Sequence, residues 1–592
     1  MRNAITLLLI VALLAPAVAS QQKASTAQRK AEEAQRRTQA IDILKRVVES
    51  AADIADTETR VNVLTGALDL LWKHDQPYAR TAFIKSVTTL SDRFALSATD
   101  KKERAELRAS IGALLRSFAR HDPQAAAQQL DRFQKLIEDV LKEKSPSSRE
   151  RLSLAEASLD SDPVQSAALA AKALDNGVPG SFPAYLNDLE RRDAAAAASL
   201  FRVALSKLAD PRLSAPVQLN TLSTYVFRES EMTVPVLGFG SATPALEFAT
   251  FASPLSPPTR DLNQEFVTAY MVASAGYLTA NASALEQSDP PDAIHVGFSF
   301  FLVKKLRGYV DKLGLNGSQN WAVLDTKYTL LAERAKLSDR VQSGLASTAQ
   351  RIVSENTVFR FDGGEASFNA AEKTADAEKR AQLLAYGIRQ QIEDGKFAEA
   401  VQKLADLRDD KLREQLNIYL SFRMAHVSLK TLDWDSFNAQ VNRVSDARLR
   451  TYLILSAAVA ANDAGNKKMS SEFLLTAMAS LMKIDDVDAR AAALIATAGM
   501  LYASADATTG AQVLTDSVNA INRTAHYDGA AYGVMLEAAK SNLWFSLPKF
   551  DLSHCFEQAA KRDWTGALAA AQTIESKALR AQAYIAACRN VL

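Results

Sequence analysis

The chain has 592 residues, with 69 lysines and arginines against 68 aspartates and glutamates, and only 22 glycines and 17 prolines. A charge so close to balance gives no long-range attraction for nucleic acid or anionic lipid, and we expect no nucleic-acid partner. Glycine and proline lie below their usual shares of about 7% and 5%, which favours helix, and the length exceeds one ordinary core. The composition therefore predicts an all-α chain of several domains or of repeats.

The first twenty residues have the pattern of a cleavable signal peptide. Arg2 supplies a positive start, residues 4–14 form an apolar run, and residues 17–19 form a small-residue cleavage site. The run is too short for a permanent membrane anchor, and no cysteine follows it to carry a lipid. We therefore expect a periplasmic or secreted protein that starts at Ser20 or Gln21, with no membrane insertion after signal cleavage.

Breaks in the helical pattern divide the chain into segments. Prolines and glycines interrupt the pattern most strongly after residue 230, where no helix can continue. The predicted segments are a signal peptide (1–20), a charged lead-in helix or disordered stretch (21–50), an N-terminal helical array (51–230), a proline- and glycine-rich loop or joint (231–260), an irregular middle helical region (261–371) and regular C-terminal helical repeats (372–592).

A short motif recurs along the chain: an apolar residue, then Asp or Ser two positions later, then Arg six positions later. It occupies residues 54–60, 407–413, 444–450, 484–490 and 574–580. The apolar residue ends one amphipathic helix, and the Asp or Ser caps the next by accepting its free backbone N–H groups. The last four arginines lie 37, 40 and 90 residues apart, and 90 corresponds to two units of 45. Such a unit holds two helices and two turns.

The motif arginines have two interpretations. They form a row of ligand-binding cations, or each one reaches back to the carbonyl groups that end the preceding helix. The second is favoured because an arginine in a first helical turn opposes the dipole of its own helix. An aromatic residue opens the other helix of several units, at Phe397, Trp434 and Trp564.

These units resemble the helix-turn-helix repeats of tetratricopeptide-like and HEAT-like α-solenoids, most clearly over residues 395–592. The tetratricopeptide consensus, with its period of about 34 residues, is not kept, so the resemblance is to a structural superfamily and to no specific family. It implies a helical-repeat superhelix of stacked antiparallel helix pairs, with a concave face that binds peptides or proteins.

The proline- and glycine-rich segment 231–260 carries three aromatic residues, Phe239, Phe248 and Phe251. A loop of this length within a helical array is either functional or a joint between two arrays. The rings favour burial, so one interpretation is a loop that packs on its own array. The other is a partner-binding element that presents these rings.

No catalytic, metal or cofactor motif is present. No two histidines share a helix face, no cysteine pair has ligand spacing, and no phosphate loop or nucleophile elbow occurs. We therefore expect no catalytic residue, no metal and no cofactor. Cys555 and Cys588 lie on neighbouring predicted helices, where they form a disulfide or remain two buried thiols.

Three functions fit these features. A non-enzymatic exported scaffold, with an unknown protein or peptide partner, accounts for the repeats, the signal peptide and the absence of chemistry. A polysaccharide- or peptidoglycan-acting enzyme with an α-superhelical or toroidal fold is the alternative. Soluble lytic transglycosylases combine a signal peptide with such a superhelix, but they also need a lysozyme-like C-terminal domain, and the helical repeat continues through that region here. A small-ligand binder that uses residues 231–260 is the third.

Overall fold

The structure is a computed structural model, and it describes residues 28, 30–97, 100–141, 148–208, 216–229, 231–238, 245–252, 263–315, 318–354, 363–504, 506–524, 526–539 and 541–592. Helices make up most of them, which confirms the predicted all-α class. The N-terminal helices are α1 (30–50), α2 (Thr57–Trp72), α3 (Gln76–Leu96), α4 (Lys101–Ala119), α5 (Pro123–Leu141), α6 (Ser148–Ser158), α7 (Pro163–Ala173), α8 (Phe182–Arg192), α9 (Ala194–Leu208) and α10 (Pro216–Val226).

The remaining helices follow a first pair of strands. The middle helices are α11 (Gln264–Glu286), α12 (Ala293–Leu313), α13 (Ser318–Arg334), α14 (Asp339–Ser354), α15 (Gly363–Glu372) and α16 (Ala377–Glu393). The C-terminal helices are α17 (Phe397–Asp406), α18 (Asp410–Thr431), α19 (Trp434–Val441), α20 (Ala447–Asp463), α21 (Lys467–Leu481), α22 (Val487–Ala503), α23 (Ala507–Ile521), α24 (Leu552–Arg562), α25 (Trp564–Gln572) and α26 (Lys577–Arg589). The strands are β1 (Glu231–Gly238), β2 (Ala245–Ala252), β3 (Gly533–Ala538) and β4 (Ser541–Ser546).

Side-chain caps start the helices where the motif predicts them. Asp446 accepts hydrogen bonds from the backbone N–H groups of Arg448 and Leu449, at 2.8 and 2.9 Å, at the start of α20. The other four predicted caps accept equivalent bonds, at Asp56, Asp409, Asp486 and Ser576. Because each cap satisfies N–H groups that have no partner within the helix, these local signals fix where the helices begin.

The chain forms two compact units, Met1–Ala82 with Arg360–Leu592, and Phe83–Phe359. In the second unit, even-numbered helices from α4 to α14 contact one another in order, and odd-numbered helices from α5 to α13 do the same. In the first unit, the even-numbered helices from α16 to α26 form one continuous layer. This order confirms the predicted helix pairs, each of which contacts the pairs beside it.

In the first unit, helices that are far apart in sequence contact each other. Helix α2 contacts α26, and Lys577 Nζ lies 3.2 Å from Asp53 Oδ2. Gly66 in α2 faces Ile585 in α26, where a Cβ atom on the glycine would lie 3.5 Å from Ile585 Cδ1. The helix that ends the repeat array therefore gains α1 and α2 as its next neighbours, although more than 500 residues separate them in sequence.

The segment predicted as a loop at 231–260 contains a β-hairpin, so the loop prediction was wrong for 231–238 and 245–252. Strands β1 and β2 are antiparallel, with Pro235 opposite Phe248. The prolines exclude a helix, as predicted, but not a strand in a two-stranded sheet. Each strand there has an edge without a partner, where the missing N–H of proline costs no ladder hydrogen bond.

A second hairpin interrupts the C-terminal helices, so the prediction of regular repeats over 372–592 was wrong for 533–538 and 541–546. Strands β3 and β4 lie between α23 and α24, and buried Val534, Leu536 and Ala538 alternate with outward-facing residues. The 90 residues between the motif arginines Arg490 and Arg580 therefore hold two helix pairs and this insertion. The period-2 alternation in β3 is too short to stand out within an alanine-rich helical sequence.

The second hairpin packs on the even-numbered helices of the first unit. Strand β3 contacts α18 and α20, and the Phe545 ring lies 4.7 Å from the Phe422 ring. The hydroxyl of Tyr532 donates to the carbonyl oxygen of Arg448 at 2.9 Å. These contacts cover one face of α18 and α20, and residues 451–458 of α20 are buried all around the helix.

Candidate functional site

The described residues contain no metal-binding group of three or more His, Cys, Asp or Glu side chains. No helix in the described ranges has the length and apolar character needed to cross a bilayer. Buried polar clusters and grooves between helices remain as candidate sites among the described residues.

The most buried charged cluster surrounds Lys305 in α12. Its ammonium group lies 2.8 Å from a carboxylate oxygen of Glu229 and donates to Asn220 and Ser223, both at 2.7 Å. Tyr309 donates to the other oxygen of Glu229 at 3.1 Å. Burial lowers the pKa of Lys305, and Glu229 acts in the opposite direction. All three ammonium protons have acceptors, so the cluster fixes the chain just before β1 and leaves no donor for a ligand.

The two cysteines are free and buried. Cys555 in α24 and Cys588 in α26 lie on helices that contact each other, as the sequence predicts. Burial raises the pKa of both thiols, that of Cys588 to about 12. Cys555 stands four residues after the Asp551 cap, the position that arginine holds in the motif, which explains why the motif does not reveal this unit. The structure contains the two-thiol alternative and no disulfide.

The structure describes two of the three phenylalanines of segment 231–260. Phe248 and Phe251 lie in β2, opposite Pro235 and Met232 of β1. Phe239 lies outside the described residues. Both interpretations of this segment, packing on its own array and presenting the rings to a partner, stay predictions.

A large groove in the first unit lies between α1, α25 and α26, and its volume is about 690 Å³. Its length along α1, from Gln39 to Ser50, corresponds to roughly 16 Å at a rise of 1.5 Å per residue. Buried Val47, Trp564 and Ala581 form the floor. A volume of this size matches sites that bind small molecules or short peptide segments.

The local sequence fixes the position of Trp564, the first residue of α25. Asp563 caps the helix by accepting from the N–H of Gly566 at 2.9 Å, and the Asp563 side chain occupies the space that a Cβ atom on Gly566 would need. Trp564 is only 7% exposed, and its Nε1 is buried without a hydrogen-bond partner among the described residues. Half-buried Ile43 and Leu568 complete the apolar walls of the groove.

The rim of the groove is cationic. Lys577 pairs with Asp53, but the side chains of Arg46 and Arg580 make no hydrogen bond or ion pair within the described part of the chain. Burial raises the pKa of Tyr584, and the positive charges of Arg580 and Arg46 act against that rise. Arg46, Arg580 and Tyr584 all line the groove, which therefore combines apolar walls with two cations that have no ion-pair partner among the described residues.

The five motif arginines do not all make the same contact in the structure. Arg60 and Arg413 donate to the carbonyl oxygens of Ile54 and Leu407, at 2.9 and 3.0 Å, which confirms the predicted structural role for these two. Arg450 donates instead to the side chain of Asn442, at the end of the preceding helix. The side chains of Arg490 and Arg580 make neither kind of contact among the described residues, and of these two only Arg580 lines the groove.

A second groove, of about 500 Å³, lies between α11 and α13 in the other unit. Small side chains form most of it, including Ala275, Gly276 and Ala280. The cation that lines it, Lys327, lies 3.5 Å from a carboxylate oxygen of Glu286. The lining residues of this groove therefore offer no unpaired charge, and the α1–α25–α26 groove is the better candidate site.

Sequence reasoning did not find the α1–α25–α26 groove. Its residues come from 39–53 and 564–584, and nothing in the local pattern indicates that these ranges meet. One feature of the sequence, Asn522 at the C-terminal end of α23, could have indicated that Arg580 differs from other motif arginines. Asn442 occupies the same position after α19, where it binds a motif arginine, whereas Asn522 binds the turn before Arg580.

No protein-family model and no curated protein matches the chain. Among solved structures, it is similar to the crystal structure of yeast Tom70, with 11% identical residues, 84% of this chain and 96% of that chain covered, and a TM-score of 0.22. It is also similar to a circular tandem repeat protein with novel repeat topology and enhanced subunit contact surfaces, with 12% identity, 94% and 97% coverage and a TM-score of 0.14. Neither likeness transfers a site, and the helical-repeat assignment rests on the helix pairs of this chain.

Proposed function

We propose that this protein is an exported, non-enzymatic helical-repeat scaffold that binds a polypeptide segment in the α1–α25–α26 groove. The observation that carries the proposal is the groove itself, which joins an apolar floor of Val47, Trp564 and Ala581 to two arginines without a partner among the described residues. Tryptophan and arginine are among the side chains that contribute most to protein interfaces. Helical-repeat folds commonly bind extended partners on surfaces built from several helices.

Export is proposed from the sequence pattern of residues 1–20, all of which lie outside the described residues. A protein cleaved there would meet its partner in the cell envelope or outside the cell. Intact-mass measurement of the protein recovered from its native host tests this step. A mass that starts at Ser20 or Gln21 supports export, and retention of residues 1–19 contradicts it.

A groove-filling substitution tests the binding site. Ala569 is an exposed alanine in α25 that lines the groove, and Ala479 is an exposed alanine in α21 outside it. Ala569→Trp is expected to abolish recovery of the partner in affinity capture from envelope extract, because the indole occupies the space of the bound segment. Ala479→Trp serves as the control and is expected to leave recovery unchanged. Equal recovery with both variants would place binding elsewhere on the protein.

A further inference from the structure

The turn before α26 is stabilised differently from the other motif turns. Asn522 Nδ2 donates to the carbonyl oxygen of Thr573 at 2.9 Å, and Asn522 Oδ1 accepts from the N–H of Glu575, also at 2.9 Å. These two bonds flank Ile574, whose carbonyl is the equivalent of the one that Arg413 binds at Leu407. The side chain of Asn522 therefore binds this turn as Arg60 and Arg413 bind theirs.

Arg580 is consequently available for another contact. It is half-buried, and with exposed Arg46 it faces the groove near Tyr584. A half-buried guanidinium group without an anion costs free energy, because its five N–H donors have little solvent to hydrogen-bond with. Two guanidinium groups beside one groove, of which that of Arg580 is half-buried, favour a ligand that brings carboxylates, because carboxylates bind guanidinium groups through paired hydrogen bonds.

The apolar lining and the length of the groove further restrict the kind of ligand that fits. A floor of Val47 and Ala581 with walls of Ile43 and Leu568 favours apolar side chains between the charged ones. A length of roughly 16 Å accommodates about five residues of extended chain, at about 3.3 Å per residue. A free inorganic anion would leave this apolar surface uncovered.

The N-terminal segment of the protein is a poor occupant on the same grounds. Residues 21–27, which precede α1, contain Lys23 and no acidic residue. A basic segment would add positive charge beside Arg46 and Arg580, which is unfavourable. Charge complementarity therefore points to a separate chain.

We infer that the groove recognises an extended acidic peptide of a partner protein, with Arg46 and Arg580 binding its carboxylates and the floor binding its apolar side chains. This inference rests on the proposed function, because it names the partner chemistry of the same groove. Arg580 is then the residue that determines specificity, released from its turn by Asn522.

The test uses the full chain and a fluorescent peptide of about five residues in which glutamate and leucine alternate. Binding is measured by fluorescence anisotropy, with a matched peptide in which glutamine replaces glutamate. We expect the acidic peptide to bind and the glutamine peptide not to bind. Arg46→Gln and Arg580→Gln are each expected to weaken binding about tenfold or more, which corresponds to the loss of one charge-assisted hydrogen-bonded contact.

Arg490→Gln is the matched control. Arg490 holds the same motif position and is half-buried, and its side chain makes no hydrogen bond or ion pair among the described residues, but it does not line the groove. Circular dichroism of each variant checks that it is folded. The inference is overturned if Arg490→Gln weakens binding as much as Arg580→Gln, if the glutamine peptide binds equally well, if neither peptide binds, or if millimolar inorganic phosphate displaces the peptide from the protein at constant ionic strength.

These outcomes are separable from failure of the proposed function. If Ala569→Trp abolishes partner capture while the acidic peptide fails to bind, the groove binds a polypeptide of other chemistry. In that case the scaffold proposal stands and only the acidic specificity is removed.

Discussion

Arg413 and Arg580 hold the same motif position but play different roles. Arg413 stabilises its turn, and Arg580 does not. Arg413→Gln is expected to lower the free energy of unfolding by about 1–2 kcal/mol, because the Leu407 carbonyl loses a charged donor. Arg580→Gln is expected to change it by less than about 0.5 kcal/mol. Urea unfolding followed by circular dichroism measures both, provided that the slope with urea is unchanged. Equal losses would contradict the assignment of separate roles.

The cysteines make a second prediction at the level of single residues. Burial raises the pKa of both thiols, so little reactive thiolate forms in the folded protein at neutral pH. We expect a maleimide reagent to label neither Cys555 nor Cys588 in the folded protein within minutes. Both should react after unfolding in guanidinium chloride without a reductant. Mass spectrometry counts the labels, and an unlabelled unfolded chain would reveal the disulfide that the structure lacks.

His426 makes stability depend on pH. Burial, and then Arg423 and Lys430, lower the pKa of His426 from 6.5 to about 4. Between those values the unfolded chain binds a proton that the folded protein does not, so the free energy of unfolding falls as pH falls from about 6.5 to about 4. Above about pH 6.5 the contribution is present in full. Its size is at most about 3 kcal/mol, since one pKa unit corresponds to about 1.36 kcal/mol.

His426→Phe measures this contribution, because phenylalanine keeps the ring contacts with Phe422 and Phe545 and does not titrate. Urea midpoints at pH 7 and pH 4.5 should differ less in the variant than in the native sequence. The exposed His526, changed to Phe, serves as the control. A pH dependence that survives in His426→Phe unchanged would show that other groups cause it.

At the scale of elements, the β3–β4 hairpin is held by its inward face. Phe545 contacts Phe422 and His426, whereas Trp544 is 64% exposed on the opposite face. Phe545→Ala is expected to cost about 2–3 kcal/mol of stability through lost burial, and Trp544→Ala less than about 1 kcal/mol. Thermal unfolding compares the two variants. A larger effect at Trp544 would mean that the hairpin packs through its other face.

Helix starts could be predicted from sequence, because a cap and its helix lie within a few residues of each other. Asp446 and Asp486 are examples in which the residue type alone implies the hydrogen bond. The strands could not, since β1 and β3 become strands only by pairing with β2 and β4. Pro235 within β1 is a residue that would ordinarily argue against a strand, and the unpaired edge of a two-stranded sheet permits it.

At the scale of the whole molecule, sequence order and spatial order differ in the unit that contains both ends of the sequence. The groove between α1, α25 and α26 brings Arg46 and Arg580 together, although the sequence distinguishes Arg580 only as a motif arginine and does not distinguish Arg46 at all. The repeat motif predicts that α25 and α26 pair, but it contains no information on which helices pack beyond the last pair. The fold class was therefore predictable from local patterns, whereas the groove depends on how helices distant in sequence pack against one another.

Site-specific photo-cross-linking in the native host tests the central claim, that a polypeptide binds in the α1–α25–α26 groove. A photoreactive amino acid at position 569 should yield a covalent adduct with a partner protein, and peptide mapping should place the link in an acidic stretch of that partner. The same amino acid at position 479 should yield none. Adducts from position 479 alone, or equal adducts from both positions, would contradict the claim.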